Sequence, residues 1–331
     1  MNKINLNNLF DLKQDMKALG ASEVAIQELE TNIRKGLPSF EIKESIPLRA
    51  GYVNILYPIH TSDPEKGYHF TNFKAELYNI KPLQDGQSYF LITPKGNGQN
   101  DTKKFDHPLT AIAQFIKRDK DCELVVGKSV TDNTLVAKRE KDDVIVTRDY
   151  RNTFYGKPIE QTFYCSEGKG FTVPQASNLI QGRSVYRDDL VSGKGVKYQA
   201  WVNLDTEKGK KGQNFELKTF QDPAYGFDLN AALKNYDLKF VKNAENQPQN
   251  LQELEAALRN GDKPVVVVKK EGADVELQIE AVVRYKIMNF FQMDGKPEKR
   301  EQFLTKDAQV TLTEKNKAKE TELSESQGLT R

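Results

Sequence analysis

The apolar residues between positions 196 and 204 recur at every second position. They are Val196, Tyr198, Ala200, Val202 and Leu204. Because successive side chains of a strand point to opposite faces, this spacing predicts a strand with one apolar face. A one-residue slip in pairing would turn all of these side chains toward solvent, so we expect burial to fix the register of an antiparallel sheet. A second strand of this kind is predicted, with inward residues Val275, Leu277 and Ile279.

Short helical segments alternate with strand-like runs along the chain. Leu9, Leu12 and Met16 fall at helical spacing, and their helix stops at Gly20. Similar segments end at glycine further along, because glycine tolerates the left-handed backbone that closes a helix. The pattern predicts an α+β fold in which short helices alternate with antiparallel β-meanders.

An internal echo suggests repetition of this helix–meander unit. The segment 27–30 reads Gln-Glu-Leu-Glu and is followed by a glycine, a proline and strands, and the segment 252–255 does the same. Duplication of one module would produce such an echo. Chance would also produce it, since Glu and Leu are common on helices, and both explanations stay open.

The length of 331 residues predicts two or three compact units. We place an N-terminal α+β domain at residues 1–155 and a C-terminal α+β domain at 156–305. The remaining residues, 306–331, carry dense mixed charge and few apolar side chains. Such a composition cannot bury enough apolar surface to fold, so we expect a disordered tail.

The overall composition narrows the function classes. The net charge of +2 provides no global field toward DNA or a membrane. Two cysteines, Cys122 and Cys165, are too few for a disulfide framework, which favours a reducing compartment. No apolar run is long enough for a membrane helix, and the first residues lack the apolar core of a secretory signal. We therefore expect a cytoplasmic protein with no membrane association.

Three segments carry a family resemblance: Gly182-Arg183, residues 198–205 (Tyr-Gln-Ala-Trp-Val-Asn-Leu-Asp) and residues 225–229 (Tyr-Gly-Phe-Asp-Leu). Together they resemble a family of uncharacterised Bacteroidota proteins often associated with conjugative transposons and plasmids. The resemblance extends over most of residues 15–305. It implies a mobile-element context and no established activity, and it transfers no catalytic residue to this chain.

Searches for known chemical motifs give no catalytic, cofactor or metal site. Gly127-Lys128-Ser129 has the ending of a phosphate-binding loop, but Cys122 stands where the first glycine is required. His60 and His69 fall across a predicted hairpin, and two ordinary strand residues explain them better than a metal pair. His107-Pro108 is typical of a helix start. We interpret Asp188-Asp189 as a solvated turn and both cysteines as buried, inert thiols.

Trp201 is the one positive signal, because the period of two places it on the polar face of its strand with Lys197 and Gln199. Nearby basic residues are Arg183, Arg187, Lys194, Lys208, Lys210 and Lys211. A helix that covered this face would make Trp201 part of the core, which is the interpretation we favour. An exposed ring among cations would instead anchor a protein partner or stack the bases of single-stranded nucleic acid.

The sequence thus favours a non-enzymatic binding or accessory protein of a mobile genetic element. Its partner is expected to be a protein, with single-stranded nucleic acid as the second choice and no cofactor. The alternative is an enzyme whose active site is assembled from dispersed residues. A deep pocket with clustered acids or histidines would favour the enzyme, whereas a flat basic or aromatic face would favour binding.

Overall fold

The computed structural model describes residues 4–311 except positions 50, 64, 82, 85, 97, 167–168 and 241–246. Within these residues the chain forms short helices and four sheets whose strands all pair antiparallel. The predicted α+β fold class is confirmed. The chain divides into two compact units, Met1–Gly170 and Phe171–Arg331.

The first unit contains two five-stranded sheets. Its elements in chain order are α1 (Leu6–Ala18), α2 (Glu23–Arg34), β1 (Ser39–Leu48), β2 (Gly51–His60), β3 (Asn72–Asn79), β4 (Ser88–Pro94), β5 (Asn100–Phe105), α3 (Pro108–Ile116), β6 (Cys122–Gly127), β7 (Asn133–Glu140), β8 (Asp143–Val146), α4 (Arg151–Tyr155), β9 (Ile159–Ser166) and β10 (Lys169–Gly170). One sheet has the strand order β1-β2-β3-β9-β10, and the other has β5-β4-β6-β7-β8.

The second unit contains a three-stranded and a five-stranded sheet. Its elements are α5 (Val173–Ile180), β11 (Val185–Val191), β12 (Lys197–Lys211), β13 (Asn214–Gln221), α6 (Leu229–Lys234), β14 (Leu238–Lys239), α7 (Leu251–Arg259), β15 (Val265–Lys270), β16 (Ala273–Val282), β17 (Ile287–Phe291) and β18 (Pro297–Glu298). The strand orders are β11-β12-β13 and β14-β15-β16-β17-β18.

One order of elements recurs four times in the described part of the chain: a helix followed by a three-stranded antiparallel meander. The four sets are α2 with β1–β3, α3 with β6–β8, α5 with β11–β13, and α7 with β15–β17. This is the alternation of helices and meanders that the sequence predicts. Duplication and chance both stay open as explanations of the repetition.

Local sequence sets where these helices begin. Asn5, Ser22, Asp228 and Asn250 each accept a hydrogen bond from a backbone N–H in the first turn of the helix that follows. Such caps satisfy donors that have no partner inside the helix. His107 and Pro108 begin α3, which confirms the helix start predicted from that dipeptide.

The two strands predicted from the period of two are present. Val202 and Leu204 of β12 and Leu277 and Ile279 of β16 are buried. Tyr198 and Val275, predicted to be buried with them, are half-buried. Both lie near the start of their strand, and Val196, the first residue of the predicted apolar face, precedes β12 and is exposed.

The predicted domain boundary near residue 155 is wrong by about 15 residues. Strand β9 pairs with β3, so the segment that contains it belongs to the first unit, which extends to Gly170. The tail also begins differently from the expectation, because residues 306–311 are helical. Residues 312–331, the rest of the predicted disordered tail, lie outside the described residues.

Candidate functional site

Trp201 is buried, with 2% of its surface exposed. Its ring contacts Tyr186 and Phe227 edge to face, at centroid distances of 5.3 and 5.7 Å. It belongs to the core cluster that also contains Leu233 of α6 and Leu258 of α7. The face of β12 predicted to be polar is therefore covered at Trp201, although Lys197 and Gln199 on the same face are exposed, and the favoured interpretation of Trp201 as a core residue is confirmed. A ring buried in this way can neither stack a nucleic-acid base nor anchor a protein partner, so both alternatives that required an exposed Trp201 are wrong.

Arg183 also has a structural position. Its guanidinium donates to the side-chain oxygens of Asn178 and Gln181, at 2.8 and 2.7 Å, and to the carbonyl of Gly261 at 3.4 Å. Burial is the main cause that lowers the pKa of Arg183 below its usual value. Since these acceptors belong to the ends of α5 and α7, Arg183 joins two helix ends rather than meeting a partner.

The other predicted basic residues do not form an open cationic surface. Arg187 makes a two-pronged ion pair with Asp189, at 2.7 and 2.6 Å. The hairpin between β12 and β13 contains Lys208, Lys210 and Lys211, which are offset by the three acids Asp205, Glu207 and Glu216, so residues 205–216 have no net charge. Lys208 pairs with Asp205, Lys211 pairs with Glu216, and Lys210 lies over the ring of Phe215.

Lys194, Lys197 and Gln199 are exposed. Lys194 lies in the turn between β11 and β12, and the other two lie at the start of β12. The structure therefore does not bring the predicted set together around an accessible Trp201. A neutral hairpin and scattered lysines lack the concentrated positive charge that phosphate binding requires.

A cleft of about 360 Å³ instead opens where residues 222–229 pass the end of α7. We call it the Arg259 cleft. Its lining residues are Trp201, Asp222, Pro223, Gly226, Phe227, Asp228, Leu229 and Arg259. Two segments of the family resemblance thus meet at one cleft, whose charged rim surrounds the almost fully buried side chains of Trp201, Phe227 and Leu229.

The two carboxylates of the Arg259 cleft are engaged within the protein. Asp222 accepts a hydrogen bond from the Tyr186 hydroxyl at 2.9 Å. Asp228 accepts the backbone N–H of Ala231 at 3.0 Å and so caps α6. Burial, and then the hydrogen bond to Asp222, raise the pKa of Tyr186, which keeps this hydroxyl a donor at neutral pH.

The cations at the cleft are held differently. The Arg259 guanidinium lies 4.2 Å from the ring centroid of Tyr186, and the Lys286 ammonium lies 4.6 Å from that of Tyr225. Among the residues that the structure describes, neither has a carboxylate within ion-pair distance. Lys286 reaches the cleft beside Gly226, where an added Cβ would lie 3.6 Å from its ammonium nitrogen. The half-buried Arg259 also donates a hydrogen bond to the Tyr186 hydroxyl, whereas the exposed Lys286 keeps its donors for a partner.

The backbone of Lys286 is left-handed, with φ 55° and ψ 42°. Lys141 and Glu271 share the positive φ, and all three residues lie in short connections between consecutive paired strands. For Lys286 the connection contains the 3-10 turn Val283–Tyr285 and joins β16 to β17. A left-handed residue after such a turn is common in short hairpin loops, so the fold explains this backbone.

A second cleft, of about 210 Å³, lies between β12, β13 and β16. Its charged residues are Asp205, Glu207, Lys218, Glu280 and Arg284. Most of them are paired internally: Asp205 with Lys208, Glu280 with Lys263, and Glu207 with Arg284. The lining of this cleft has three acids and two bases, and that of the Arg259 cleft has two acids and one base, so both carry a net charge of −1 and differ only in how the charges are paired.

The histidines, cysteines and aspartates considered in the sequence analysis have structural positions. The rings of His60 and His69 lie 6.4 Å apart across an isolated bridge, and no group of three or more possible ligands forms a metal site among the described residues. Cys122 and Cys165 are buried, and burial raises the pKa of both thiols. Asp188 and Asp189 lie at a bulge of β11 rather than in the predicted turn. No helix in the described ranges has the length and apolarity to cross a bilayer.

Neither Arg259 nor Lys286 was among the residues predicted for a site. Arg259 is the last residue of a regular amphipathic helix, and Lys286 directly precedes β17, so neither stands out locally. Their common feature, an aromatic partner from a distant segment, depends on the packing of the second unit. Comparisons with protein-family models, curated proteins and solved structures found no match to this chain.

Proposed function

We propose that this chain is a non-enzymatic binding protein that docks a protein partner at the Arg259 cleft. The observation that carries the proposal is a difference in how the charged side chains of the cleft are held. Asp222, Asp228 and Arg259 each have a hydrogen-bond partner within the protein, whereas the exposed Lys286 ammonium rests only on the ring of Tyr225. The family resemblance supports a role as an accessory protein of a mobile genetic element.

A protein partner fits this arrangement better than a nucleic acid. Arginine and aromatic side chains dominate the energetics of protein interfaces. A nucleic acid would require a longer track of cations, and the hairpin beyond the cleft is electrically neutral.

Photo-crosslinking in the native host tests the proposal. Benzoylphenylalanine replaces Ala224, an exposed residue between the lining residues Pro223 and Gly226, or, as a control, the exposed Lys194. We expect a protein adduct from position 224 and none of the same mass from position 194. The adduct should disappear when Arg259→Gln and Lys286→Asn are combined, and it should persist with Lys269→Gln, which removes an exposed lysine of β15.

Asparagine is chosen at position 286 because it tolerates the left-handed backbone while it removes the charge. If nuclease destroys the adduct, the partner is a nucleic acid and not a protein. An adduct that survives the double substitution, or none at position 224, would refute docking at this cleft.

A further inference from the structure

We infer that His60 and His69 form a two-histidine site for a divalent transition-metal ion in the first unit. The inference is independent of the proposed function, because it concerns other residues in the other unit of the chain. It follows from the backbone pairing of the two histidines, from the exposure of their rings and from the hydrogen bond that one ring makes.

The backbone places the two histidines side by side. His60 is the last residue of β2, and His69 forms an isolated antiparallel bridge with it. Each residue donates its backbone N–H to the carbonyl of the other, at 3.1 and 2.9 Å. Directly opposed residues of an antiparallel pair carry their side chains on the same face, so both imidazole rings lie on one surface. The pairing uses only the backbone and leaves both side chains exposed.

The two rings are close enough to share one ion. The centroids of the His60 and His69 rings lie 6.4 Å apart. With bonds of about 2.1 Å from each ring to one metal ion, the ring centroids lie about 4.5–6.5 Å apart, depending on the angle at the metal. The observed distance is at the upper end of this range. Exposed side chains change rotamer rapidly, so the rings can turn toward a shared ion without disturbing the core.

A third residue on the same face orients one of the rings. Ser39 of β1 pairs with His60 of β2, and its hydroxyl oxygen lies 3.1 Å from Nδ1 of that ring. When Nδ1–H donates to this hydroxyl, Nε2 carries the lone pair that binds a metal. Metal-binding histidines commonly have such a partner on their second ring nitrogen. The sequence alone favours two ordinary strand residues, and this arrangement of three cross-strand partners is what the structure adds.

The ligand set selects the class of ion. Imidazole nitrogen suits Cu²⁺, Ni²⁺ and Zn²⁺, and Cu²⁺ binds tightest of the three. A structural zinc site has four protein ligands. Among the described residues no group of three or more histidine, cysteine or acidic side chains could hold a metal, so water must complete the coordination of an ion at this pair. The pair therefore fits an exchangeable ion rather than one on which the fold depends.

Titration of the full chain with Cu²⁺ tests the inference, with calorimetry for the affinity and electron paramagnetic resonance for the ligands. We expect one ion per chain, with two nitrogen ligands in its spectrum. His60→Gln and His69→Gln should each weaken binding about tenfold or more, because each removes the gain from a second ligand already held beside the first. His107→Gln replaces the remaining histidine of the three and should leave the affinity unchanged. Circular dichroism verifies that each variant is folded.

The stoichiometry distinguishes one shared ion from two independent ones. Two independent histidines would bind two ions in the unchanged chain and one ion, with the same affinity, after either substitution. That result would overturn the inference. Unchanged affinity in either variant, or no binding at micromolar Cu²⁺, would overturn it as well.

The stability of the chain provides a second measurement. An ion that bridges His60 and His69 binds the folded chain better than the unfolded one, so saturating Cu²⁺ should raise the urea midpoint and a chelator should reverse the shift. The shift should disappear in both His60→Gln and His69→Gln. An equal shift in these variants would mean that the ion binds elsewhere, and the inference would be wrong.

Discussion

The ends of α5 and α7 are built alike and used differently. Each helix closes on a glycine with positive φ, Gly182 at 84° and Gly261 at 86°. In each, the glycine N–H bonds to a carbonyl three residues back, and the next N–H bonds to one five residues back. This paired arrangement satisfies the last carbonyls of a helix. The two ends therefore differ through their surroundings and not through their backbone.

Those surroundings separate a structural junction from an open cleft. Asn178, 5% exposed, bonds to Arg183 on one side and to Asp262 on the other, which ties the two helix ends together. Arg183 is consumed in that junction, whereas Arg259, at the end of α7, rests on Tyr186 and faces the cleft. Arg183, which lies inside a segment of the family resemblance, therefore serves packing. Arg259, which lies outside those segments, is the one that we propose for recognition of a partner.

Removal of Trp201 should have the largest effect, because its ring packs against Tyr186, which supports Arg259. Trp201→Ala should lower the free energy of unfolding by about 3–5 kcal/mol, the usual cost of truncating a buried tryptophan. Urea denaturation followed by circular dichroism measures this change. The control is Tyr285→Ala, which truncates an aromatic side chain that is 64% exposed. A loss below about 1 kcal/mol for Trp201→Ala would show that the ring is not a core residue.

The two glycines provide a matched pair with a smaller effect. A Cβ on Gly261 would lie 2.9 Å from the Cβ of Asn178 and 3.0 Å from the carbonyl oxygen of Ser184, whereas a Cβ on Gly182 would meet nothing within 4 Å. Gly182→Ala should therefore cost only the left-handed strain, about 1 kcal/mol. Gly261→Ala should cost about 2–3 kcal/mol, because the clash adds to that strain. Equal losses in urea denaturation would mean that the junction is looser than described.

The smallest expected effect is on the labelling rate of the two thiols of the first unit. These thiols serve as a control for substitutions in the second unit. Burial is the main cause that raises the pKa of Cys165 to about 11, and it also raises that of Cys122. Only thiolate reacts, so labelling of the folded chain by a disulfide reagent should be slow at pH 8 and accelerate toward pH 11. Arg259→Gln should leave the rate at pH 8 unchanged. Faster labelling would mean that this substitution perturbs more than the cleft.

Sequence periodicity predicted the elements whose structure depends on their own residues. The strand with Val202 and Leu204 and the helix started by His107-Pro108 are examples. It failed where distant segments decide the outcome. The boundary near 155 was wrong because β9 pairs with β3, about 85 residues earlier in the chain. The spacing within β12 predicted a polar second face. It could not show that α6 and α7, which come later in the sequence, cover Trp201 on that face.

The candidate site was the least predictable part for the same reason. Of the nine residues proposed, the eight around Trp201 are exposed, paired or part of the junction, and only Trp201 lines the Arg259 cleft. Arg259 and Lys286 become distinctive through Tyr186 and Tyr225, which lie more than 60 residues away along the chain. The local sequence shows only an ordinary helix end at Arg259 and the start of a strand after Lys286.

The central claim is that Arg183 stabilises the fold while Arg259 remains available to a partner. The most direct test applies one substitution to both, Arg183→Gln and Arg259→Gln, and measures urea denaturation through Trp201 emission. Loss of the internal hydrogen bonds of Arg183 should cost about 2–3 kcal/mol, because they involve a charged donor. Loss of the ring contact of Arg259 should cost about 1 kcal/mol or less. Equal losses, or a larger loss for Arg259→Gln, would contradict the account.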